Sequence, residues 1–232
     1  MTGTTSRAGS LGARGAGRAS GMVALRGASP RTLPGRGGSG GGPRLVAIGA
    51  STGGVDALRQ VLTAFPAGCP PTLVVQHMRA RFIEGFVERL DRVCAPTVRP
   101  ATSDARLQRG TVYVATGDEE HLVVAGLTQP RCMLVEKGLV SGHRPSVDAL
   151  FHSLKPFATQ VVGVLLTGMG RDGAEGLLGL RQGGARTICQ DRETSVVHGM
   201  PGAAVDLGAA EVQLPLNRIA PAILKASRQA PP

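Results

Sequence analysis

The stretch LVAIGASTGG, Leu45–Gly54, constrains this chain more than any other. Leu45, Val46, Ala47 and Ile48 form a short apolar run of the kind that is buried on both faces of a parallel sheet. Gly49, Ala50, Ser51, Thr52, Gly53 and Gly54 follow at once, and a helical pattern starts near Val55. A pair of hydroxyls therefore sits on a tight turn between the end of a strand and the start of a helix, where open α/β sheets place their ligands. Glycine supplies the positive φ or the close backbone approach that such a turn needs. The helix start offers free N–H groups to an anion. Three readings fit the stretch by itself. Ser51 can cap the helix and do nothing else. The turn can cradle a phosphate, although it lacks the Lys-Ser/Thr of a P-loop and is not G-x-G-x-x-G. Or Gly49–Gly53, which satisfies G-x-S-x-G, can be a nucleophile elbow. The rest of the chain has to decide.

Taken in order, that chain predicts an α/β fold with a doubly wound, mostly parallel sheet, helices on both faces and an antiparallel hairpin region at one edge. Val55–Phe65 reads as a helix with Val55, Leu58, Val61 and Leu62 on one face. Thr72–Gln76 is a second strand with His77 at its carboxyl end, and Arg81–Val93 is a helix with Phe82, Phe86, Val87, Leu90 and Val93 recurring at three- and four-residue steps. From about Val98 to Lys137 the character changes: Thr111–Ala115, His121–Ala125 and Met133–Glu136 are short β-rich runs that look like antiparallel hairpins. Ser146–Phe157 reads as a helix opened by Pro145, and Val161–Thr167 is the most apolar segment and the expected central strand. A helix over Ala174–Arg181, strands over Thr187–Gln190 and Val212–Leu214, and a helix over Leu216–Ala226 complete the pattern.

Charge is unevenly spread. The 232 residues hold 26 Lys and Arg against 16 Asp and Glu, but residues 1–44 contain seven of the Arg and none of the acids. That leaves 19 basic and 16 acidic residues in the remainder, which shows no basic stripe with interleaved aromatics, so no nucleic-acid partner is expected. Residues 1–43, rich in Gly, Ser, Ala and Arg, read as a disordered tail; 44–227 is the expected folded domain and 228–232 a short C-terminal tail. Met22 is an alternative start. The core must be aliphatic, for there is no Trp and only one Tyr. Cys69, Cys94, Cys132 and Cys189 stand far apart with no C-x-x-C, which suggests neither zinc nor disulfides and fits reduced thiols in a cytoplasm. No apolar run approaches the ~18 residues of a membrane span.

Three of the expected strands end in a reactive side chain: Ser51, His77 and, just past Val161–Thr167, Asp172. In a parallel sheet all carboxyl ends lie along one edge, so the three can converge. Acyl transfer needs such a set: a serine to attack, an imidazole to remove and return its proton, a carboxylate to fix the imidazole's tautomer. Asp172 could instead cap the helix that follows it, and His77 could simply end a strand. Of the five histidines, His121 falls in a hairpin, His143 in a turn before Arg144-Pro145, His152 in a helix and His198 in VVHGMP; only His77 directly follows a parallel strand. The order Ser, His, Asp differs from that of α/β-hydrolases, where the acid precedes the histidine.

IGASTGG, VVQHM, RPSVDALF, LTGMGRDGAEG and CQDRETSVVHGMP, in this order, resemble the catalytic domain of the chemotaxis protein-glutamate methylesterases, the CheB family. The resemblance runs from about Arg44 to Leu224. It implies a hydrolase with Ser51 as nucleophile, His77 as base and Asp172 as the acid that orients it, supported by Thr52 and the backbone N–H of Met169 at the histidine or the oxyanion. It also implies demethylation of glutamyl methyl esters on the cytoplasmic domain of methyl-accepting chemoreceptors, with glutamate and methanol as products. Deamidation of receptor glutamines by the same route is implied too, with no metal or organic cofactor. Family members usually carry an N-terminal receiver domain, and 43 residues are too few for one. The expectation is a stand-alone catalytic domain, with a separate regulatory protein as a candidate second partner. A second departure is His198, where the family motif usually has an aromatic residue before Gly-Met-Pro. The competing reading is a receptor-binding adaptor that keeps the fold without the chemistry; a binding module has no need of all three of Ser51, His77 and Asp172. Nucleotide binding at the Ser51 turn lacks its expected lysine or ribose-binding acid.

A tail of this composition has too few apolar groups to bury a competing surface, and Gly-rich chain loses much entropy on ordering. Deleting residues 1–43 is expected to leave kcat within about threefold, with at most a salt-dependent rise in KM. Steady-state methanol release by full-length and truncated protein at low and high salt checks this, and a tenfold rise in kcat on truncation would make the tail an inhibitor.

Overall fold

The computed structural model describes residues 45–126 and 128–228, so the expected tail over 1–43 lies outside the described residues. The first half of the fold runs β1 (Leu45–Ala50), α1 (Gly54–Thr63), β2 (Thr72–Gln76), α2 (Ala80–Val93), β3 (Thr97–Pro100), β4 (Thr111–Val114), β5 (Glu120–Ala125) and β6 (Arg131–Glu136). The second half runs α3 (Val147–Ser153), β7 (Val161–Leu165), α4 (Ala174–Gln182), β8 (Arg186–Gln190), α5 (Met200–Asp206), β9 (Val212–Leu214) and α6 (Leu216–Arg228). Seven strands form one sheet in the order β3-β4-β2-β1-β7-β8-β9, and every pairing in it is parallel. From β1 the chain winds outward on one side through β2, and from β7 it winds outward on the other through β8 and β9. The order therefore reverses between β1 and β7, and the crevice at their carboxyl ends is the place where such sheets bind ligands.

Strand alternation divides the core into two layers. Leu45 and Ala47 of β1 join a buried cluster with Leu150 and Phe151 of α3, Leu177 and Leu180 of α4 and Ala204 of α5. Val46, Ile48 and Ala50 point the other way, into a cluster with Leu58 and Leu62 of α1, Phe86 and Leu90 of α2 and Ile219 and Ile223 of α6. Each fully buried aliphatic or aromatic side chain contributes about 1.5–3 kcal/mol, so the two layers supply the bulk of the driving force. The four cysteines are free, and burial pushes the thiols of Cys132 and Cys189 up to about 12, far from reactive. Among the described residues no helix is long and apolar enough to cross a membrane.

Several local expectations need correction. Thr111–Val114 belongs to the parallel sheet, between β2 and β3, rather than to a hairpin. Its strand is buried throughout, and the four-residue edge strand β3, with Val98 alone buried, is too short to show a pattern. Among the described strands only β5 and β6 pair antiparallel, as a separate two-stranded sheet whose Leu122, Val124 and Cys132 pack into the α3 layer. The helix expected over 146–157 stops at Ser153 and continues as a 3-10 turn over Lys155–Gln160. Pro156 cannot continue the α-helix, because it has no N–H to bond back to the carbonyl of His152, but it is tolerated in the first turn of the 3-10 segment. On α2 the buried stripe is Ile83, Phe86, Val87 and Leu90; Phe82 and Val93 face out, and Phe82 lies under the Arg81 guanidinium at 4.7 Å. The helix α5, opened by Pro201, is too short for periodicity to reveal.

Val147, the first residue of α3, seats the helix against the sheet. A methyl group on Gly49 would lie 2.3 Å from Val147 Cγ1, and one on Gly173 would lie 2.6 Å from the same atom. Gly49→Ala is accordingly expected to destabilise the fold by about 1–3 kcal/mol through overpacking. Gly68→Ala, where an added Cβ meets nothing within 4 Å, serves as the neutral control. Urea unfolding of both variants makes the comparison, and equal midpoints would refute the packing role of Gly49.

Candidate active site

The three strand-end residues lie along one edge of the sheet. In the β1–β2 register Ala50 pairs with Gln76, and the His77 N–H donates to Ala50 O at 3.0 Å. Ser51 and His77 are thus the next pair in that register, side by side just beyond the last rung. Ser51 is tied in from both flanks: its N–H donates to Thr167 O at 3.0 Å, and its carbonyl accepts from Gly54 N at 2.8 Å and Gln76 Nε2 at 2.9 Å. Gln76 Nε2 also donates to His77 O at 3.0 Å, so one buried amide clasps both residues. The turn needs its glycines. Gly53 has φ +81°, and a Cβ on Gly54 would come within 2.1 Å of Gln76 Oε1. Opposite Ser51, a Cβ on Gly168 would lie 2.8 Å from Ser51 Cβ, so β7 brings its own loop directly under the serine.

Asp172 is a helix-capping residue, but of a different helix from the one that follows it. The start of α4 is capped by Gly173 in the left-handed region. The carboxylate of Asp172 instead receives the start of α3: Val147 N–H donates to Oδ2 at 2.8 Å, Asp148 N–H to Oδ1 at 2.9 Å and Ser146 Oγ to Oδ1 at 2.7 Å. His77 Nε2 lies 2.8 Å from Oδ2. The side chain of Asp172 is wholly buried. Burial pushes its carboxyl pKa up, but the bonds from His77, the two backbone N–H groups and Ser146 outweigh that and leave it below the usual carboxylate range. With Nε2–H committed to Asp172, the lone pair of His77 rests on Nδ1, a buried atom without a partner among the described residues.

The remaining histidines divide by environment. His121 is buried, accepts from Ser146 N–H at Nδ1 (3.1 Å) and donates from Nε2 to Gly138 O (3.0 Å), so it braces the Ser146–Asp172 contact and has no free nitrogen. His152 is exposed on α3. His198 joins Gly168 in a parallel bridge, and both its ring nitrogens are buried without a partner among the described residues. His143 lies flat on His77, ring centroids 3.9 Å apart and planes 9° from parallel. Burial first, then the nearby His77, hold the pKa of His143 below the usual histidine value.

Of the two supporting residues expected, neither touches His77 by a side-chain bond. Thr52 is exposed, and its carbonyl accepts from Thr167 Oγ1 at 2.9 Å. Met169 projects its side chain outward, 71% exposed, and its N–H donates to none of the described residues. The loop that carries Met169 is pinned from below: Gly168 N–H donates to Val197 O at 2.9 Å, and Gly168 O accepts from Gly199 N (3.0 Å) and Met200 N (2.9 Å). Gln190 Oε1 takes the Thr167 N–H at 2.8 Å. Gln76, His143, Ser146 and Gln190 are therefore members of the site that strand-end reasoning passes over. VVQHM, RPSVDALF and CQDRETSVVHGMP hold three of them, Gln76, Ser146 and Gln190, but nothing in a linear motif says that Ser146 points at Asp172. Among the described residues no group of three or more His, Cys, Asp or Glu is arranged to hold a metal ion.

The sequence model of the CheB methylesterase family matches residues 46–223. The chain belongs to the CheB methylesterase family. It is 56% identical over 185 residues to a protein-glutamate methylesterase/protein-glutamine glutaminase of Rhizobium johnstonii, an alignment covering 79% of this chain and 53% of that one. It is 42% identical over 203 residues to a protein of the same description from Dechloromonas aromatica, covering 87% and 58%. The crystal structure of the Thermotoga maritima CheB methylesterase catalytic domain superimposes with a TM-score of 0.76 at 33% identity, covering 79% of this chain and 98% of that one. The chain spans about half the length of the curated relatives it matches. The doubly wound α/β fold is therefore that of a CheB catalytic domain.

A depressed carboxylate contributes stability that is fully present above its unfolded pKa, about 3.9, and is lost as pH falls through the folded value below it. Asp172→Asn is expected to lower stability at neutral pH and to flatten the acid limb of the stability curve below about pH 4. Urea midpoints of both proteins from pH 3 to 7 measure this; parallel acid limbs would mean that the carboxylate is not held by the α3 start as described.

Proposed function

We propose that this chain is a protein-glutamate methylesterase that hydrolyses glutamyl methyl esters on the cytoplasmic domain of chemoreceptors, and that it deamidates receptor glutamines by the same route. The observation that carries this reading is the His77–Asp172 bond at 2.8 Å, which commits Nε2 and leaves the Nδ1 lone pair on the residue beside Ser51 in register. Ser51 Oγ attacks the ester carbonyl while His77 Nδ1 takes its proton, and the Asp172 carboxylate balances the imidazolium. The Met169 N–H, helped by Thr52, faces the oxyanion of the tetrahedral intermediate. Collapse breaks the C–O bond, and the imidazolium proton leaves on methanol. Water, deprotonated by His77, then attacks the acyl-enzyme; its breakdown returns the proton to Ser51 and releases glutamate. For a glutamine, ammonia leaves in place of methanol. The names of the relatives, which cover both reactions, support the pair of activities.

The further parts of the proposal follow from family and sequence. The catalytic domain is 44–227, residues 1–43 are a passive tail, and the site of action is the cytoplasm, with a separate regulatory protein as a second partner. Because the three residues act as a unit, Ser51→Ala and His77→Ala are each expected to cost about 10³-fold or more in turnover, and the double variant little beyond the worse single. Methanol release from a methylated receptor fragment is the assay. Loss of activity in His121→Ala with an intact fold, alongside an active His77→Ala, would overturn the assignment of the base.

A further inference from the structure

The bond to Asp172 fixes where His77 Nε2 lies, but a single hydrogen bond leaves the ring free to swing about it. The backbone of His77 is held at both its N–H and its carbonyl, so the residual freedom is rotation of the imidazole itself. That rotation moves Nδ1, the atom that must meet the serine proton. The ring of His143 occupies the face across which it would swing, at 3.9 Å and nearly parallel.

His143 is itself firmly placed. Val140 and His143 exchange backbone hydrogen bonds of 3.1 and 2.9 Å, closing a two-residue turn in which Ser141 and Gly142 both have positive φ. Ser141 Oγ then donates to Asp148 Oδ2 at 2.6 Å, and Asp148 Oδ1 accepts from Gly176 N at 2.7 Å, which ties the turn to the first turns of α3 and α4. The same α3 start holds Asp172. Both partners of His77, the carboxylate at its edge and the ring on its face, are thus referred to one helix end.

We propose that His143 is a positioning residue for His77: its ring, stacked on the imidazole, sets the plane in which Nδ1 faces Ser51. The stack suits the chemistry as well. Burial, then the nearby His77, hold the pKa of His143 below the usual histidine value, so a neutral ring rather than a second cation stands beside the imidazolium that forms as the serine proton is taken. The requirement is for a flat ring at this position, not for a second base.

The inference rests on the proposed esterase activity, so its test has one arm that does not. Full-length protein carrying His143→Ala, His143→Gln or His143→Phe is compared with the parent by methanol release from a methylated receptor fragment. The ring N–H signal of His77 is followed in parallel by NMR of histidine-labelled protein, assigned by its absence in His77→Ala. We expect Ala and Gln to lower kcat by on the order of tenfold or more, since a misplacement of about 1 Å can cost about a hundredfold and loss of the stack frees the ring over part of that distance. KM should stay within about twofold, and the His77 signal should broaden or disappear. Phe should restore both kcat, to within about threefold, and the sharp signal. Thermal midpoints close to the parent's separate this from unfolding, and Gln keeps the side-chain bulk should Ala melt the turn. A kcat unchanged in Ala and Gln overturns the proposal, as does a Phe variant as impaired as Ala, which would assign the effect to the nitrogens of His143. Absence of methanol release by the parent would remove the esterase reading alone. The NMR arm then decides, and a sharp His77 signal surviving in Ala and Gln would overturn the stack's role.

Discussion

A buried carboxylate is the interaction on which the rest of this structure depends. Asp172 has no exposed side-chain surface, and an unpaired charge there would cost several kcal/mol. Three donors from the start of α3 and one from His77 meet it, and hydrogen bonds to a charged group contribute about 1.5–3 kcal/mol each. The arrangement is reciprocal. The first turn of a helix has N–H groups with no partner inside the helix, and here a carboxylate from a distant loop satisfies two of them. The helix start fixes the acid and the acid fixes the helix start.

The parallel sheet then delivers the other members without further machinery. A strand order that reverses between β1 and β7 opens a crevice at that point. The loops after β1, β2 and β7 all leave from the same edge, so residues more than a hundred positions apart share one site. What rigidity the site has comes from amides as much as from the sheet. Gln76 clasps Ser51 and His77, and Gln190 holds Thr167, each a buried side chain in place of a backbone rung that the diverging loops can no longer supply.

Much of this is legible in the sequence, because the apolar runs of β1, β2 and β7 are unambiguous and each ends in a residue with recognisable chemistry. Where the reading fails, the signal is absent for physical reasons. Val98 is the only buried residue of β3, so that strand carries no alternation, and β4, buried throughout, gives no hint of parallel or antiparallel pairing. Phe82 counts as core in any periodic scheme, yet the stripe on α2 passes through Ile83 and leaves Phe82 to be shielded by Arg81. At the site, the roles of Ser146, His143 and Gln190 are set by contacts across the fold. Capping by Asp172 is a fair expectation from its place before a helix, but the helix it serves lies earlier in the chain.

The seat of Val147 has a consequence of its own. One isopropyl group fills a hollow whose two walls are the missing side chains of Gly49 and Gly173. Gly49 sits two residues before the serine, and Gly173 directly follows the aspartate. Positions 49, 147 and 173 therefore form a single volume shared by three parts of the chain, and none can grow unless another shrinks. Anyone redesigning this domain must treat the three as one unit, since a change tolerated at any of them alone would shift the helix start by which the acid is aimed.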